Sequence, residues 1–449
     1  MSKKVYLVAL GCPKNLVDAE VMLGGLEEQG YQVVTAPDEA DLLVVNSCAF
    51  IQPAVEESID AILEMAAVKK KEPGRRLVVT GCLPQRYGRD LAAELPEVDL
   101  FVGPDRTAEL PRLLAPAAAE HGCLILGDGT SLMDSASPRR LTTPRHRAYL
   151  KVTEGCSNRC SYCLIPSIRG RLRSRPLADC VAEAQRLGAA GVQELTLIAQ
   201  DLTAYGLDLG QGSDLVALLA ALVQETTIPW LRLLYLHPAR VDRRLLELIA
   251  AEPRILPYLD IPLQHASDRI LKAMNRGYGR ERIDRLFGLI AEILPEAAIR
   301  TTFMVGFPGE DAAAFAELTD FVTSGRLAHL GVFPYHNEAG CAAAGMKPRV
   351  SARVKASRRA RLMAIQQPIA QAFHQAQVGR TLSVLVEGTS RETELLLEGR
   401  AWLQAPDIDG CVYINAGIAT PGSFTPVRIT EALAYDLVGE ALGTAEGED

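Results

Sequence analysis

The sequence predicts an α/β protein in three parts: an open parallel α/β sheet, a partial (β/α)6 barrel, and a small antiparallel β-barrel. Three features of the 449 residues predict this architecture. Apolar runs alternate with helical patterns in the first hundred residues, and six more such units follow between residues 148 and 335. After residue 378 the runs become short, alternate in polarity and are broken by Gly and Pro, which is typical of a small all-β domain.

The first domain is predicted over residues 1–130, and its strands share one feature. The apolar runs 5–10, 42–47 and 77–81 are followed by Cys12, Cys48 and Cys82, with helical patterns at 17–29 and 54–68 between them. The cysteines are 36 and 34 residues apart, which is about one strand–helix–strand period each. Because parallel strands end at the same edge of a sheet, we expect these three thiols to lie together. Placement of all three in the same structural phase favours a metal cluster over coincidence.

Residues 131–147 are rich in Ser, Pro and Arg without apolar periodicity, and they predict a linker. The second domain is predicted over 148–377 and ends in a basic, Ala-rich helix at 350–377. Its expected strands are 149–152, 194–198, 231–236, 259–263, 300–305 and 330–335. In such barrels functional groups follow the strands, and here those positions hold Gln200, Asp201, His237, Gln264, His265 and Gly306. A lone histidine at such a position is more often a hydrogen-bonding wall residue than a catalyst, so no catalytic residue is assigned.

The third domain is predicted over 378–449, with strands at 382–386, 394–397, 411–415 and 425–430. From residue 379 onward the chain carries four basic and twelve acidic side chains, which equals the net charge of −8 of the whole protein. Such a field repels nucleic acid and attracts basic protein, although acidic tails also serve merely to keep proteins in solution. The acidic domain therefore gives no strong signal for nucleic-acid binding.

A second group of cysteines predicts a redox centre. Cys156, Cys160 and Cys163 are spaced C-x3-C-x2-C. An iron–sulfur cube is normally held by four thiolates, so three leave one iron open to another ligand. Zinc sites more often show paired thiols with a second pair or histidines downstream, and neither is near this run. The remaining alternative is that the three cysteines are small buried apolar residues.

Composition places the protein in a reducing compartment. Ten cysteines without any signal-peptide core or membrane span favour metal or redox use over disulfides. We therefore expect a cytoplasmic protein without membrane contact. Four arginines follow the second cysteine group: Arg169, Arg171, Arg173 and Arg175. They could bind RNA phosphates, but we favour two other roles, which are to balance the charge of an anionic cluster and to bind the carboxylate of a cofactor.

The cysteine run resembles that of the radical S-adenosylmethionine (SAM) enzymes. The resemblance implies that SAM chelates the open iron and is split to a deoxyadenosyl radical that takes hydrogen from an unactivated carbon. It also places Tyr162, the aromatic residue before the last cysteine, near the adenine, with ordinary packing as the alternative. The residues that we predict to contact the cofactor are Tyr162, Gln200, Asp201, His237 and Gln264.

Over nearly its whole length the chain resembles the methylthiotransferases, and within that family its sequence motifs are most similar to those of the RimO type. The stretches that carry the resemblance are 10–18, 81–87, 258–268, 303–310 and 405–410. Relatives that modify tRNA usually have Gln-Met-Asn after the first cysteine, where this chain has Pro13-Lys14-Asn15. The last domain resembles the TRAM module, and Cys341 stands where the family more often has threonine.

The resemblance implies methylthiolation of an aspartate β-carbon in small-subunit ribosomal protein twelve, free or on the ribosome. It implies two 4Fe-4S clusters: an auxiliary one on Cys12, Cys48 and Cys82, and the SAM cluster on Cys156, Cys160 and Cys163. A radical suits the reaction, because a C–H bond next to a carboxylate is too weakly acidic for a side-chain base. An electron donor protein is also implied. The alternatives are a tRNA adenosine methylthiotransferase and a non-catalytic electron carrier. Cys123, Cys180, Cys341 and Cys411 match no ligand position and are interpreted as structural.

Overall fold

A computed structural model describes residues 3–114, 122–210 and 212–442 of the chain. The N-terminal domain is a six-stranded, wholly parallel sheet in the order β2-β1-β3-β4-β5-β6. Its elements are β1 (Lys4–Ala9), α1 (Pro13–Glu28), β2 (Gln32–Val33), β3 (Leu42–Ser47), α2 (Gln52–Lys69), β4 (Arg76–Gly81), α3 (Cys82–Glu94), β5 (Leu100–Val102), α4 (Leu110–Leu113) and β6 (Cys123–Ile125). All six residues of β3 are buried, which agrees with an apolar run covered on both faces. The predicted open parallel sheet is thus confirmed.

The segment between the first two domains has no helix or strand from residue 126 to residue 146, but it packs tightly. Arg139 pairs with Glu20 of α1 at 2.7 Å and with Glu183 at 2.6 Å, and all three side chains are buried. Gly24 of α1 lies so close to Pro138 that an added Cβ would be 2.7 Å from its carbonyl oxygen. The linker therefore fastens α1 to the second domain.

The second domain contains an open, parallel six-stranded sheet in the order β14-β13-β12-β11-β10-β7, which is the predicted partial barrel. Its elements are β7 (Arg147–Lys151), β8 (Thr153–Glu154), α5 (Ile165–Ile168), β9 (Arg173–Ser174), α6 (Leu177–Ala189), β10 (Glu194–Ile198), α7 (Leu215–Glu225), β11 (Trp230–Leu233), α8 (Arg243–Ala251), β12 (Ile255–Asp260), α9 (Asp268–Ala273), α10 (Arg280–Ile293), β13 (Ala298–Val305), α11 (Ala312–Thr323), β14 (His329–Pro334) and α12 (Ala352–Gln375). Leu195 and Leu197 of β10 belong to the core under the helices, whereas Ile198 points to the other face. The helices therefore cover one face and leave the inner face for other contacts.

The C-terminal domain is a closed five-stranded barrel in the order β15-β16-β17-β19-β18. Its strands are β15 (Thr381–Thr389), β16 (Leu397–Arg400), β17 (Val412–Ala416), β18 (Phe424–Ala432) and β19 (Leu437–Ala441). Strand β16 begins where the prediction ended it, and β19 was not predicted. Four of its strand pairs are antiparallel, whereas β17 and β19 pair in parallel and close the barrel.

This barrel docks against the inner face of the partial barrel, near the amino ends of its strands. Glu194, the first residue of β10, is fully buried between Arg232 of β11 and Arg400 of β16. Tyr258 of β12 donates a hydrogen bond to Asp409 at 2.5 Å. The opposite, carboxyl ends of the core strands are thereby left to face the N-terminal domain. Among the described helices, none has the length and apolar content that a membrane crossing requires.

Candidate active site

The three strand-end cysteines of the N-terminal domain are brought to one edge of its sheet. Cys12 follows β1 at the residue just before α1, Cys48 follows β3, and Cys82 is the first residue of α3 after β4. Strands β1, β3 and β4 are neighbours in the sheet, and their registers align Asn46 with Ala9 and with Thr80. The three thiols therefore meet at a common edge, as the spacing predicts.

Two glycines permit this close approach. Gly11 precedes Cys12 with φ +93°, and a Cβ added to it would lie 2.7 Å from Cβ and 2.9 Å from Sγ of Cys48. Gly81 precedes Cys82 with φ +93°, and its added Cβ would lie 2.5 Å from the carbonyl oxygen of Ser47. A side chain at either position would combine a strained backbone with a collision.

The thiols of this first trio differ in acidity. Burial raises the pKa of Cys82 to about 12, with the neighbouring Cys48 and Cys12 contributing and Arg169 opposing. Burial also raises the pKa of Cys48. Burial acts in the same direction on Cys12, but the charges of Lys14 and Arg169 outweigh it and lower the pKa of Cys12. Cys12 is therefore the thiol of this trio that ionises most readily.

The second trio lies on an irregular loop between β8 and α5. Gly155 opens the loop with φ +70°, and an added Cβ would be 2.1 Å from the carbonyl oxygen of Arg171. The loop is pinned by backbone hydrogen bonds from Cys156 to Gly170 and from Cys163 to Cys160, both 3.1 Å. Burial raises the pKa of Cys163 to about 12, with Cys160 and Cys156 adding to the rise. The three thiols are thus mutual neighbours on one loop.

Both trios line one cavity of about 440 Å³ between the two domains. All five residues predicted to contact the cofactor also line it: Tyr162, Gln200, Asp201, His237 and Gln264. These residues follow the carboxyl ends of parallel strands in the two sheets. Because the carboxyl ends of both sheets face the same space, the residues converge there. The structure thus brings together every residue that the sequence marked as ligand or cofactor contact.

A buried network of charges lies behind the cavity wall at Arg169, which is its member that lines the cavity. Arg169 contacts Glu154 and Asp18 at 2.9 Å each and also binds the amide oxygen of Asn15. Lys151 pairs with the same two carboxylates. Two positive and two negative side chains from both domains therefore compensate each other out of water. Arg169 therefore pairs with acids beside the first trio, and its use to balance an anionic cluster or a cofactor carboxylate stays a prediction.

The predicted contact residues are held by their own partners. Asp201 accepts hydrogen bonds from Asn158 at 2.7 Å and from Arg240 at 2.5 Å. Burial, together with the nearby Arg276 and Arg240, lowers the pKa of His237 to about 2, so its imidazole is neutral. Gln200 donates to Glu154 at 3.2 Å, while its buried amide oxygen has no hydrogen-bond partner in the described part of the chain. That oxygen is available to a ligand.

The position of His265 differs from the expectation that it lies with the other functional groups at the ends of the barrel strands. It does not line the cavity: it is fully buried, its ring lies 4.0 Å from Glu310, and it accepts a hydrogen bond from the amide of Ser267. The preceding Gln264 does line the cavity and has φ +70°. The left-handed backbone at Gln264 turns the chain at this point, so that Gln264 lies at the cavity and His265 lies in the core.

No pattern in the sequence singles out Arg276 or Tyr235, and Lys14 stands out there only as part of a family motif. Arg276 donates to Sγ of Cys160 at 3.3 Å and to the hydroxyl of Tyr162 at 3.2 Å. Lys14 lies over the ring of Tyr235, 3.7 Å from its centroid. All three line the cavity but belong to segments far apart in the chain, so no local pattern reveals them.

The arrangement fits iron–sulfur cubes better than single ions. Within the described ranges, no three His, Cys, Asp or Glu side chains converge closely enough to hold one metal ion. Three thiolates of a cube bind three different irons, so they need not converge on one point. The other four cysteines lie outside the cavity, in β6 (Cys123), in α6 (Cys180), beside the second trio (Cys341) and before β17 (Cys411).

Comparison with known proteins agrees with the three-part architecture. Residues 4–103 match the uncharacterized protein family UPF0004, residues 150–322 the radical SAM superfamily, and residues 378–442 the TRAM domain. A radical SAM methyltransferase structure, TsrM from Kitasatospora setae with cobalamin and a [4Fe-4S] cluster bound, covers 88% of this chain and 78% of its own at TM-score 0.55 and 16% identity. That likeness concerns the fold alone.

Sequence relatives extend over almost the whole chain. The "ribosomal protein uS12 methylthiotransferase RimO" of Desulfotalea psychrophila is 49% identical over 97% of this chain and 98% of its own. The protein of the same name from Myxococcus xanthus is 47% identical over 98% of this chain and 92% of its own. With these relatives and a radical SAM domain that carries the predicted cysteine trio, the chain belongs to the RimO methylthiotransferase family of radical SAM enzymes.

Proposed function

We propose that this protein methylthiolates the β-carbon of an aspartate in ribosomal protein uS12. The observation that carries the proposal is the pair of cysteine trios that line a single cavity between two domains. A transfer of a sulfur group to an unactivated carbon needs a radical site and a sulfur site within reach of the same substrate atom. The relatives over the full length are named for uS12, which favours this substrate over tRNA.

The cysteines divide into two ligand sets by their place in the fold. Cys12, Cys48 and Cys82 would hold the auxiliary 4Fe-4S cluster, and Cys156, Cys160 and Cys163 would hold the cluster that binds SAM. When bound, these groups supply the one-electron chemistry that removes a hydrogen atom from carbon and the sulfur that replaces it. Gln200, with its unpartnered amide oxygen, is the residue we assign first to SAM, followed by Tyr162, Asp201, His237 and Gln264.

The residues of the chain supply orientation and exclusion of water. Arg169 lines the cavity and is held by a network with Lys151, Asp18 and Glu154 that joins the two domains. Burial lowers the pKa of His237 to about 2, so at neutral pH its ring is a neutral imidazole and not an imidazolium acid. Hydrogen-atom transfer moves no proton to a side chain, so the reaction does not require His237 as an acid.

Fewer acidic side chains of the C-terminal barrel are available to bind the substrate than its net charge indicates, because several of them pair with the core. Glu387 and Asp407 pair with Arg147, and Asp409 lies between Tyr258 and Arg300, so these carboxylates dock the barrel onto the core. The exposed acids that remain in the described part are Glu392, Glu394 and Glu431. Glu446, Glu448 and Asp449 lie outside the described residues. We assign the exposed acids to contact with the basic ribosomal protein.

The reaction also requires an electron donor protein. We place the reaction in the cytoplasm, where ribosomal proteins are made.

Cysteine variants test the proposal. Cys156→Ala is expected to abolish SAM cleavage and to keep about four irons per chain in the auxiliary site. Cys48→Ala is expected to keep SAM cleavage and to lose methylthio transfer, and Cys123→Ala, which lies outside the cavity, serves as the control with both functions intact. The measurements are iron and sulfide per chain after anaerobic reconstitution, deoxyadenosine release, and the mass of uS12. A methylthio mark on tRNA but not on uS12 would contradict the proposed substrate.

A further inference from the structure

Lys14 is a buried cation in the cavity whose charge the protein does not neutralise with an acid. It is 8% exposed and lies in the first turn of α1, two residues after Cys12. Within the described part of the chain, no carboxylate lies within ion-pair distance of its ammonium group. Its partners are Tyr235, whose ring centroid is 3.7 Å away, and the thiol of Cys12, whose pKa its charge lowers. Burial of an ammonium group without a carboxylate is costly, so a use for it is expected.

The other two cations of the cavity lining are already committed. Arg169 pairs with Asp18 and Glu154. Arg276 uses all three of its nitrogens, for Tyr278 at 3.0 Å, for Cys160 and Tyr162, and for the carbonyl oxygen of Pro262 at 2.9 Å. An ammonium group has three N–H donors, and the single tyrosine Tyr235 does not saturate them. Lys14 is therefore the cation in this cavity with capacity left for an anion.

The position of Lys14 is maintained against two unfavourable terms. A positive side chain in the first turn of a helix opposes the helix dipole. Its aromatic partner Tyr235 has φ +66°, which is uncommon for a bulky residue. The backbone N–H of Tyr235 donates to Asp260 at 3.0 Å, and Asp260 is held by Arg300 at 2.9 Å. A chain of contacts thus fixes the ring that lies under the ammonium group.

We propose that Lys14 binds the carboxylate of the substrate aspartate and thereby sets the preference of the site for an acidic side chain. This inference rests on the proposed function. The carbon to be modified is bonded directly to that carboxylate, so one ion pair in the cavity fixes the reacting atom with little freedom. SAM also carries a carboxylate, but Lys14 belongs to the N-terminal domain beside the first trio, which favours the substrate.

The test is a cycle of two enzymes and two substrates. Binding of labelled uS12, and of uS12 with Asn in place of the modified aspartate, is measured by fluorescence anisotropy for the reconstituted wild type and for Lys14→Met. We expect the wild type to prefer the aspartate form by on the order of 10- to 100-fold and Lys14→Met to bind both forms alike. Lys14→Arg keeps a charge and is expected to retain much of the preference. Lys71→Met, at a side chain that is 61% exposed, is the matched control and keeps the wild-type ratio.

Two further measurements separate the outcomes. Iron content and SAM affinity of Lys14→Met are expected to equal those of the wild type. An aspartate preference that survives in Lys14→Met overturns the inference, and so does a loss of SAM affinity with that preference intact, which would assign Lys14 to the SAM carboxylate. If Lys14 merely balanced a thiolate, iron content would fall while the preference remained. A wild type that leaves uS12 unmodified would overturn the proposed function itself, which is a separate result.

Discussion

Replacement of Gly11 by alanine is expected to remove the auxiliary cluster and leave the SAM cluster in place. The added Cβ would lie 2.7 Å from Cβ of Cys48, whereas ordinary contacts begin at 3.4 Å. Cys48 would have to retreat by about 0.7 Å, the difference between these two distances. Ligand distances in metal sites vary by only about 0.2 Å, so a shift of this size is incompatible with the native site.

A matched control separates this collision from backbone strain. Gly11 and Gly30 have φ +93° and +83°, so alanine at either costs about 1–2 kcal/mol in backbone energy. Gly30, however, has no atom within 4 Å of an added Cβ. Gly30→Ala is therefore expected to destabilise the N-terminal domain to a similar degree while it keeps both clusters.

The assay is iron and sulfide content per chain after anaerobic reconstitution, together with SAM cleavage. We expect about eight irons for the wild type and for Gly30→Ala, and about four for Gly11→Ala. SAM cleavage is expected in all three proteins, and methylthio transfer in Gly11→Ala is expected to be lost. Eight irons in Gly11→Ala, or an equal loss of iron in both variants, would refute the reasoning from the collision.

Two other predictions concern the buried charges that join the domains. Arg169→Met leaves one of the carboxylates of Asp18 and Glu154 uncompensated, and it is expected to lower the free energy of unfolding, measured by urea denaturation, by about 3–5 kcal/mol. The second change Asp18→Asn is expected to restore part of this loss. A loss below about 1 kcal/mol would contradict this view of the network. Burial alone would raise the pKa of Glu194, but Arg400 and Arg232 lower it to about 2. Its contribution to stability, on the order of 3 kcal/mol, is therefore present above about pH 4.5 and lost as the pH falls towards 2. Acid denaturation of Glu194→Gln should be flatter over that range than that of the wild type.

Much of the fold follows from local patterns in the sequence. The strands β3 and β10 begin and end as predicted at residues 42–47 and 194–198, because uninterrupted apolar runs between polar breaks define buried parallel strands. The strands of the C-terminal barrel were harder to predict from the sequence. Strand β19 has the pattern Leu-Val-Gly-Glu-Ala with alternating burial, and its pairing with β17 in parallel depends on how the barrel closes rather than on its own residues.

The charge of the last domain illustrates the limit of composition. Its net charge is a property of the sequence, but the sequence cannot show that Glu387, Asp407 and Asp409 face arginines of the core. An ion pair across a domain boundary joins residues more than a hundred positions apart, so no pattern in either segment records it.

The sequence by itself determined which six thiols form two trios, because the spacing within the loop at 156–163 and the strand-end phase of Cys12, Cys48 and Cys82 are local properties of the chain. Tertiary structure alone decided what stands between the two trios. The packing of one sheet edge against another brings Lys14, Arg276 and Tyr235 into one cavity and sends His265 away from it. The physical reason is that side-chain direction and domain docking are set by contacts between distant segments, and these contacts also leave the buried Lys14 without a carboxylate partner in the described part of the chain.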